Sequence, residues 1–156
     1  MALTEASLDA LLGKHIREIC ALGYAADSYN HCAHFVSHVL DFQFATTCRT
    51  MVKGPGTPAS IRVQDVFRHC VQVGAWGDLP APLFWGLVFI TNPSNVNVGT
   101  KAMHNVPRKH VGIFYGGLRT IYHYSNRLHQ VVSETPDEFS HHYPAPDNSM
   151  YWGSAP

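Results

Sequence analysis

The hydrophobic pattern changes its period near the middle of this 156-residue chain, and that change limits the folds open to it. In the first half, apolar residues recur about every 3.6 residues, the period of an amphipathic helix. The predicted helices run from Thr4 to Cys20, Asn30 to Leu40 and Ile61 to Cys70. In the second half, short apolar and aromatic runs predict strands at Leu83–Thr91, His110–Tyr115, Leu118–Ser125 and Gln130–Glu134. Helices followed by an antiparallel meander predict one α+β domain over residues 1–156.

The composition excludes several classes of function. Hydrophobic residues make up 46% of the chain, enough for an ordinary core, and the formal net charge is zero. Nucleic-acid binding needs clustered basic residues, and none are present. The chain has no run of about eighteen apolar residues, so no membrane span is predicted. Its first residues also lack the features of a secretory signal, which predicts synthesis in the cytoplasm and export, if any, by a non-classical or injection route.

The four cysteines show no C-x-x-C spacing. Without a secretory signal they are expected to be free thiols rather than a disulfide framework. Cys20, Cys48 and Cys70 have no matching histidine strand and are interpreted as core residues. Cys32 differs because it lies in the first turn of a predicted helix, where unsatisfied N–H groups favour a negative charge.

Two histidines flank a predicted hairpin in the second half of the chain. If Gly116-Gly117 forms a two-residue turn, His110 lies directly opposite His123. A loop longer by one residue would shift that register. A thiol, a histidine base and a second polar group that orients the base are the minimum equipment of a cysteine hydrolase. We therefore expect Cys32, His110 and His123 to form a catalytic site.

Other polar residues have secondary roles in this interpretation. Tyr24 or Tyr29 could donate to a developing oxyanion together with the backbone N–H of Cys32. Asn126 could replace His123 as the orienting group if the hairpin register slips. The remaining histidines, including His141-His142, are expected to be solvated or locally bonded, and the aromatic tail from Tyr143 to Trp152 is expected to pack on the core or border a groove.

Two segments carry a resemblance to a known family. Cys32-Ala33-His34-Phe35-Val36 resembles the Cys-x-x-Phe-Val nucleophile motif of the NlpC/P60 and CHAP cell-wall hydrolases. His110-Val111-Gly112-Ile113 resembles their base-bearing strand, and Ile121-Tyr122-His123 is similar to the position of their third polar residue. The resemblance implies a papain-like fold, a thioester on Cys32, and cleavage of amide bonds in bacterial peptidoglycan peptides. It implies no cofactor and no catalytic metal.

Two alternatives remain open at the level of sequence. Cys32-Ala33-His34-Phe35-Val36 is also similar to the nucleophile motif of lecithin:retinol acyltransferase-like enzymes, in which the histidine strand precedes the cysteine. Here the cysteine comes first, which is the order of the cell-wall hydrolases. The second alternative is a zinc-binding domain, because His34 and His38 are one helical turn apart with His31 and Cys32 nearby.

The family resemblance also suggests a setting for the activity. A small cell-wall amidase without a secretory signal is typical of antibacterial effectors and phage lysins. For an effector, the expected partners are the peptidoglycan peptide as substrate and a small immunity or inhibitor protein that fills the groove.

Overall fold

The computed structural model describes residues 2–116 and 119–156 and shows an α+β domain. The helices, in chain order, are α1 (Glu5–Asp9), α2 (Cys32–Leu40), α3 (Cys48–Met51), α4 (Val63–His69) and α5 (Pro136–Ser140). The strands are β1 (Val73–Ala75), β2 (Trp85–Thr91), β3 (Val96–Asn97), β4 (Ala102–Met103), β5 (Lys109–Tyr115), β6 (Thr120–Ser125), β7 (Gln130–Glu134) and β8 (Ser149–Gly153). None of the helices in the described residues is long and apolar enough to cross a bilayer.

Six of the strands form one antiparallel sheet in the order β1-β8-β2-β5-β6-β7, and β3 pairs with β4 separately. The predicted meander is present as β2-β5-β6-β7. On its other side, β8 from the C-terminal tail pairs with both β1 and β2. This strand was not predicted, because a five-residue segment in a Pro-rich tail is too short to show a clear period.

The main core lies between the helices and one face of the sheet. Phe35 and Val36 of α2 are fully buried there against Val111 and Ile113 of β5. Burying each of these large side chains contributes about 1.5–3 kcal/mol to folding. A second cluster covers the opposite face, where Phe139 of α5 packs with apolar residues of β2, β5, β6 and β8. Both faces of β5 are therefore inaccessible to solvent along most of its length.

The prediction of a single helix from Thr4 to Cys20 is wrong. Thr4 caps α1 as expected, but the helix ends by Ala10, and only a short 3-10 turn follows at Ile16–Glu18. Gly13, at φ +81°, occupies the left-handed region, and its N–H donates to the Val131 carbonyl oxygen 2.9 Å away. The chain thus leaves the helix to cover the exposed edge of β7.

The predicted hairpin register is also wrong, by two residues. Ile113 lies opposite Tyr122 and Tyr115 opposite Thr120, so the loop is longer than the two residues of the predicted Gly116-Gly117 turn. Gly117 and Leu118, which belong to the predicted turn and strand, lie outside the described residues. Because side chains alternate with a period of two, a shift of two residues keeps every side chain on its predicted face. His110 and His123 therefore remain on one face, as diagonal rather than direct neighbours.

Candidate active site

A network of asparagines holds the start of α2. The Cys32 N–H donates to Oδ1 of Asn30 at 3.0 Å, and the His31 N–H donates to Oδ1 of Asn126 at 2.9 Å. Nδ2 of Asn126 in turn donates to Oδ1 of Asn30 at 3.0 Å. Asn126 follows β6, so these bonds tie the turn before α2 to the end of that strand. The Cys32 N–H, predicted as an oxyanion donor, is engaged by Asn30 in this structure.

The Cys32 thiol is buried where α2 meets β5, and only 1% of the residue is exposed. Its sulfur faces the backbone N–H groups of Val111, Ala33 and Cys32 itself. Burial raises the pKa of the thiol to about 11, and these N–H groups and the Lys109 charge oppose the shift. The thiol is therefore protonated at neutral pH in this conformation.

The residue that precedes Val111 is His110, and its ring is part of a buried relay. Nε2 of His110 lies 2.9 Å from Nδ1 of His123, and Nε2 of His123 lies 3.0 Å from a carboxylate oxygen of Glu134. The last pair is close but poorly aligned for a hydrogen bond, so we regard it as an electrostatic contact. The β6–β7 pairing places His123 opposite Val132, which puts Glu134 diagonally next to His123 on the same face.

The relay determines where the proton of each imidazole lies. The negative charge of Glu134 favours a hydrogen on Nε2 of His123, and Nδ1 of His123 then accepts from Nε2–H of His110. Nδ1 of His110 is then an unprotonated nitrogen. It is buried and has no hydrogen-bond partner among the described residues. Burial, followed by the neighbouring His123 and His142, holds the pKa of His110 well below its usual value.

Glu134 was not among the predicted site residues. Its contact with His123 lowers the pKa of the carboxyl group, which keeps it ionised at neutral pH despite partial burial. The sequence contained no local signal for this role, because a single glutamate at the end of a strand is an ordinary surface residue.

His142 also belongs to this site, although the sequence predicted a solvated or locally bonded side chain. Its ring stacks on the His110 ring with a centroid distance of 4.0 Å. Burial lowers the pKa of His142 to about 4. The turn after α5 thus covers one face of the base.

Cys32 and His110 both lie next to the peptide that joins His110 to Val111, but there is no hydrogen bond between their side chains. Val111 packs with Cys32 in the main core, whereas the His110 ring contacts Phe139 on the opposite face of the sheet. The Cys32 sulfur and the His110 imidazole therefore lie on opposite sides of that peptide. The pairing of β5 with β6 spans Ile113 to Tyr115, so the end of β5 that carries His110 is not paired with β6.

A polar cleft of about 460 Å³ opens beside the relay. His123 and Glu134 form one wall, and Asn126, Arg127, Glu138 and Tyr143 are among the residues around it. Its lining offers both charges and several hydrogen-bond groups to a ligand. Asn126 thus borders the cleft in addition to holding the start of α2.

The two tyrosines proposed as oxyanion donors lie in a different environment. Tyr24 and Tyr29 stack on each other at 4.9 Å, and Tyr24 contacts the rings of His31 and His34 edge-on. Tyr24 also packs against the small cluster that contains Cys20. The structure therefore groups Tyr24 with a second set of histidines and cysteines rather than with the relay.

That second set has four possible metal ligands, and its membership differs from the predicted one. The ligand atoms of Cys20, His34, His38 and Cys48 all lie within 4.8 Å of one another. His34 and His38 were predicted ligands. His31 and Cys32, the other two residues proposed from sequence, are replaced by cysteines that had been interpreted as core thiols. All four cysteines of the chain are buried and free, as expected.

No family model, no curated protein and no solved structure matches the chain significantly.

Proposed function

We propose that this protein is a cysteine hydrolase of amide bonds with a papain-like arrangement, in which Cys32 is the nucleophile and His110 the base. The observation that carries the proposal is the unpartnered Nδ1 of His110. The relay leaves this nitrogen unprotonated. His110 directly precedes Val111, whose N–H faces the Cys32 sulfur. A buried acceptor without a donor is costly to maintain, which favours a role in chemistry.

The proposed reaction uses Cys32 as nucleophile and His110 as base. Because the Cys32 thiol and the His110 ring lie on opposite faces of the sheet in this conformation, the proposed step requires the start of β5 to rearrange until the two groups meet. The Cys32 sulfur then attacks the carbonyl carbon of the scissile amide while its proton passes to Nδ1 of His110. The resulting imidazolium protonates the leaving nitrogen, the C–N bond breaks, and a thioester remains on Cys32. Water then attacks the thioester and gives its proton to His110. The carboxylic acid leaves as the sulfur regains a proton, so the enzyme returns to its starting state.

His123 and Glu134 act on the base rather than on the substrate. The His123 ring keeps His110 in the tautomer that presents Nδ1. When His110 becomes an imidazolium, the Glu134 charge stabilises it through His123, as the carboxylate of a catalytic triad does. A neutral thiol and a neutral imidazole at rest suit proton transfer during attack, rather than a preformed ion pair.

The described conformation is closed around the reacting groups. Cys32 is 1% exposed and His110 is fully buried, and His142 stacks on the imidazole. We infer that the segment around His142 moves aside when substrate enters from the adjoining polar cleft. Closure before substrate entry excludes water, which limits wasteful side reactions of the thiol.

The cleft supports a polar peptide as substrate. Arg127 and the two glutamates, Glu134 and Glu138, place opposite charges around the entrance. Peptidoglycan stem peptides carry both amines and carboxylates, so they match this lining, and the family resemblance points to the same class. The polar cleft favours a peptide over the long acyl chain that an acyltransferase of the lecithin:retinol type would bind.

The test is digestion of purified peptidoglycan by the wild-type protein and by Cys32→Ala, with released fragments identified by mass spectrometry. We expect new peptide termini from the wild type only. Cys70→Ala is the matched control, because Cys70 is another fully buried thiol away from the relay, and it should retain cleavage.

Two outcomes would contradict the proposal. Equal cleavage by wild type and Cys32→Ala would exclude Cys32 as the nucleophile. No cleavage by a folded wild type, with a long-chain acyl adduct on Cys32 after incubation with phospholipid vesicles, would assign the site to acyl transfer instead.

A further inference from the structure

The cluster of Cys20, His34, His38 and Cys48, here called the Cys2His2 cluster, joins three segments of the chain. Cys20 follows the 3-10 turn Ile16–Glu18, the histidines lie one turn apart on α2, and Cys48 is the first residue of α3. Three of the four side chains are buried and the fourth, His38, is partly buried. Two thiols and two imidazoles form a ligand set that zinc takes in structural sites.

One ring nitrogen of each histidine in this cluster has no hydrogen-bond partner among the described residues. Nε2 of His34 and Nε2 of His38 are both buried and make no hydrogen bond within the described residues. His34 as a whole is fully buried. Two unpartnered buried nitrogens close to two thiols are the arrangement expected of a site for a ligand that binds all four atoms.

A chain of hydrogen bonds determines which nitrogen of His34 is available. Nε2 of His31 is 2.8 Å from the carbonyl oxygen of Ala26, which can only accept, so that nitrogen carries the hydrogen. Nδ1 of His31 therefore accepts from Nδ1–H of His34, at 3.1 Å. This leaves Nε2 of His34 as a free lone pair facing the cluster. Support of the second ring nitrogen by an outer partner is the usual arrangement of a metal-binding histidine.

Backbone donors face both sulfurs. The Ala59 N–H donates to the Cys48 sulfur at 3.3 Å, and the N–H groups of Leu22 and Tyr24 face the Cys20 sulfur. Such donors stabilise a sulfur that carries negative charge, as a metal-bound thiolate does. Among the described residues, no Asp or Glu is a member of the cluster.

The geometry points to a tetrahedral site for one zinc ion, and we propose that the Cys2His2 cluster binds it. Bonds of about 2.3 Å to sulfur and about 2.0 Å to nitrogen would place the four ligand atoms about 3.3–3.8 Å apart. The present limit of 4.8 Å requires each atom to move inward by less than 1 Å, within reach of side-chain rotation. Binding displaces one proton from each thiol and leaves a neutral Zn(Cys)2(His)2 unit.

The proposed zinc is structural and takes no part in the hydrolysis. Four protein ligands leave no open position for water or substrate. It would hold α2 against the segments that bear Cys20 and Cys48, with His34 only two residues after Cys32 in the same helix. The site would thus fix the helix that presents the nucleophile. The inference does not depend on the proposed hydrolase activity.

The first measurement is the metal content of the full-length protein, prepared without an affinity tag that contains histidine. We expect about one zinc ion per chain, and a strong loss of zinc from Cys48→Ser. Cys70→Ser should keep the metal, because it removes an equally buried thiol that is not in the cluster.

The second measurement uses the wild type alone, in case a variant with a substituted metal-ligand residue does not fold. Metal-free protein is titrated with Co²⁺, and we expect the visible absorption of tetrahedral cobalt together with thiolate-to-cobalt charge transfer. Zinc should then displace the cobalt and abolish the signal.

Three results would overturn the proposal. One is a folded wild type that contains no metal and gives no tetrahedral cobalt spectrum. Another is a disulfide between Cys20 and Cys48 in protein prepared under reducing conditions. The third is zinc that remains at the same stoichiometry in folded Cys48→Ser.

Discussion

This chain buries two groups of histidines, one against α5 on one face of the sheet and one beside α2 on the other, and the two groups end on different acceptors. The relay of His110 and His123 ends on the carboxylate of Glu134. The other chain, from His34 through His31, ends on the neutral carbonyl oxygen of Ala26.

That difference determines what each group can hold. A carboxylate can stabilise the positive charge of a protonated imidazole, so the relay suits a base that gains and loses a proton. A backbone carbonyl offers only a partial charge, and two thiols are close by, so the Cys2His2 cluster suits a cation bound by neutral imidazoles and thiolates. Burial of a histidine is therefore compatible with either role. The group at the far end of each chain of contacts, a carboxylate or a carbonyl oxygen, distinguishes them.

The strongest test of this contrast exchanges a histidine in each group for glutamine. We expect His110→Gln to reduce kcat/KM for a peptidoglycan peptide by about 10³–10⁴-fold, because the base is lost. Its zinc content should stay unchanged. His34→Gln should show the opposite pattern, with zinc lost first. Kinetics and metal analysis on the same preparations check both, and loss of metal from His110→Gln would refute the separation of roles.

The next largest effect is expected from metal removal. A chelator should lower the free energy of unfolding of the wild type by about 3–5 kcal/mol, because binding to the folded chain adds its free energy to folding. Cys32→Ala should respond equally, whereas Cys48→Ser should respond little. Urea unfolding with and without chelator measures this. A wild type whose stability is the same in both conditions would contradict the structural role.

Glu134→Gln should have a smaller effect that falls on catalysis alone. The substitution keeps the size of the side chain and removes the charge that stabilises the imidazolium, so we expect kcat to fall about 10²-fold with little change in KM. Zinc content and the free energy of unfolding at pH 7 should change little. A variant with wild-type kcat would show that the relay ends functionally at His123.

The smallest effect concerns the pH dependence of stability near His142. Its pKa is about 4 in the folded state, mainly because of burial and then the His123 charge, with Glu134 opposing. In the unfolded chain the pKa of a histidine is about 6.5, so between pH 4 and pH 6.5 the unfolded state binds more protons than the folded state. The contribution of His142 to stability is therefore complete above pH 6.5 and declines as the pH falls toward 4.

We expect His142→Phe to keep the ring that stacks on His110 while it removes this proton linkage. The loss of stability between pH 7 and pH 5 should shrink by about 1 kcal/mol, a value reduced for the partial exposure of the ring. Chemical denaturation at both pH values measures the difference. An identical loss in the variant would show that other groups account for the acid sensitivity.

Much of the fold was predictable because its signals are local. Helix α2 and strands β2 and β7 have clear periods or apolar runs, and they lie within a few residues of their predicted bounds. The first predicted helix failed because Gly13 pairs with the edge of β7, a contact made across more than a hundred residues. Strand β8 was missed for the same reason, since β1 and β2 supply its pairing partners.

The residues of the candidate site also divide into those that local sequence could suggest and those that only the fold brings together. Cys32, His110 and His123 could be proposed from sequence, because each lies in a short motif with its own chemistry. Glu134 and His142 join them only through the β6–β7 register and the return of the chain after α5. Cys20 and Cys48 come to the two histidines of α2 from segments on either side of that helix.

Local patterns thus determined the α+β class, the shared face of His110 and His123 and the type of chemistry that each side chain can perform. The folded chain alone decided which of these side chains are neighbours and where their hydrogen-bond chains end. The physical reason is range. Periodicity and capping act within one or two turns of chain, whereas a carboxylate beside an imidazole, or two thiols beside two imidazoles, requires segments to meet that are distant in sequence.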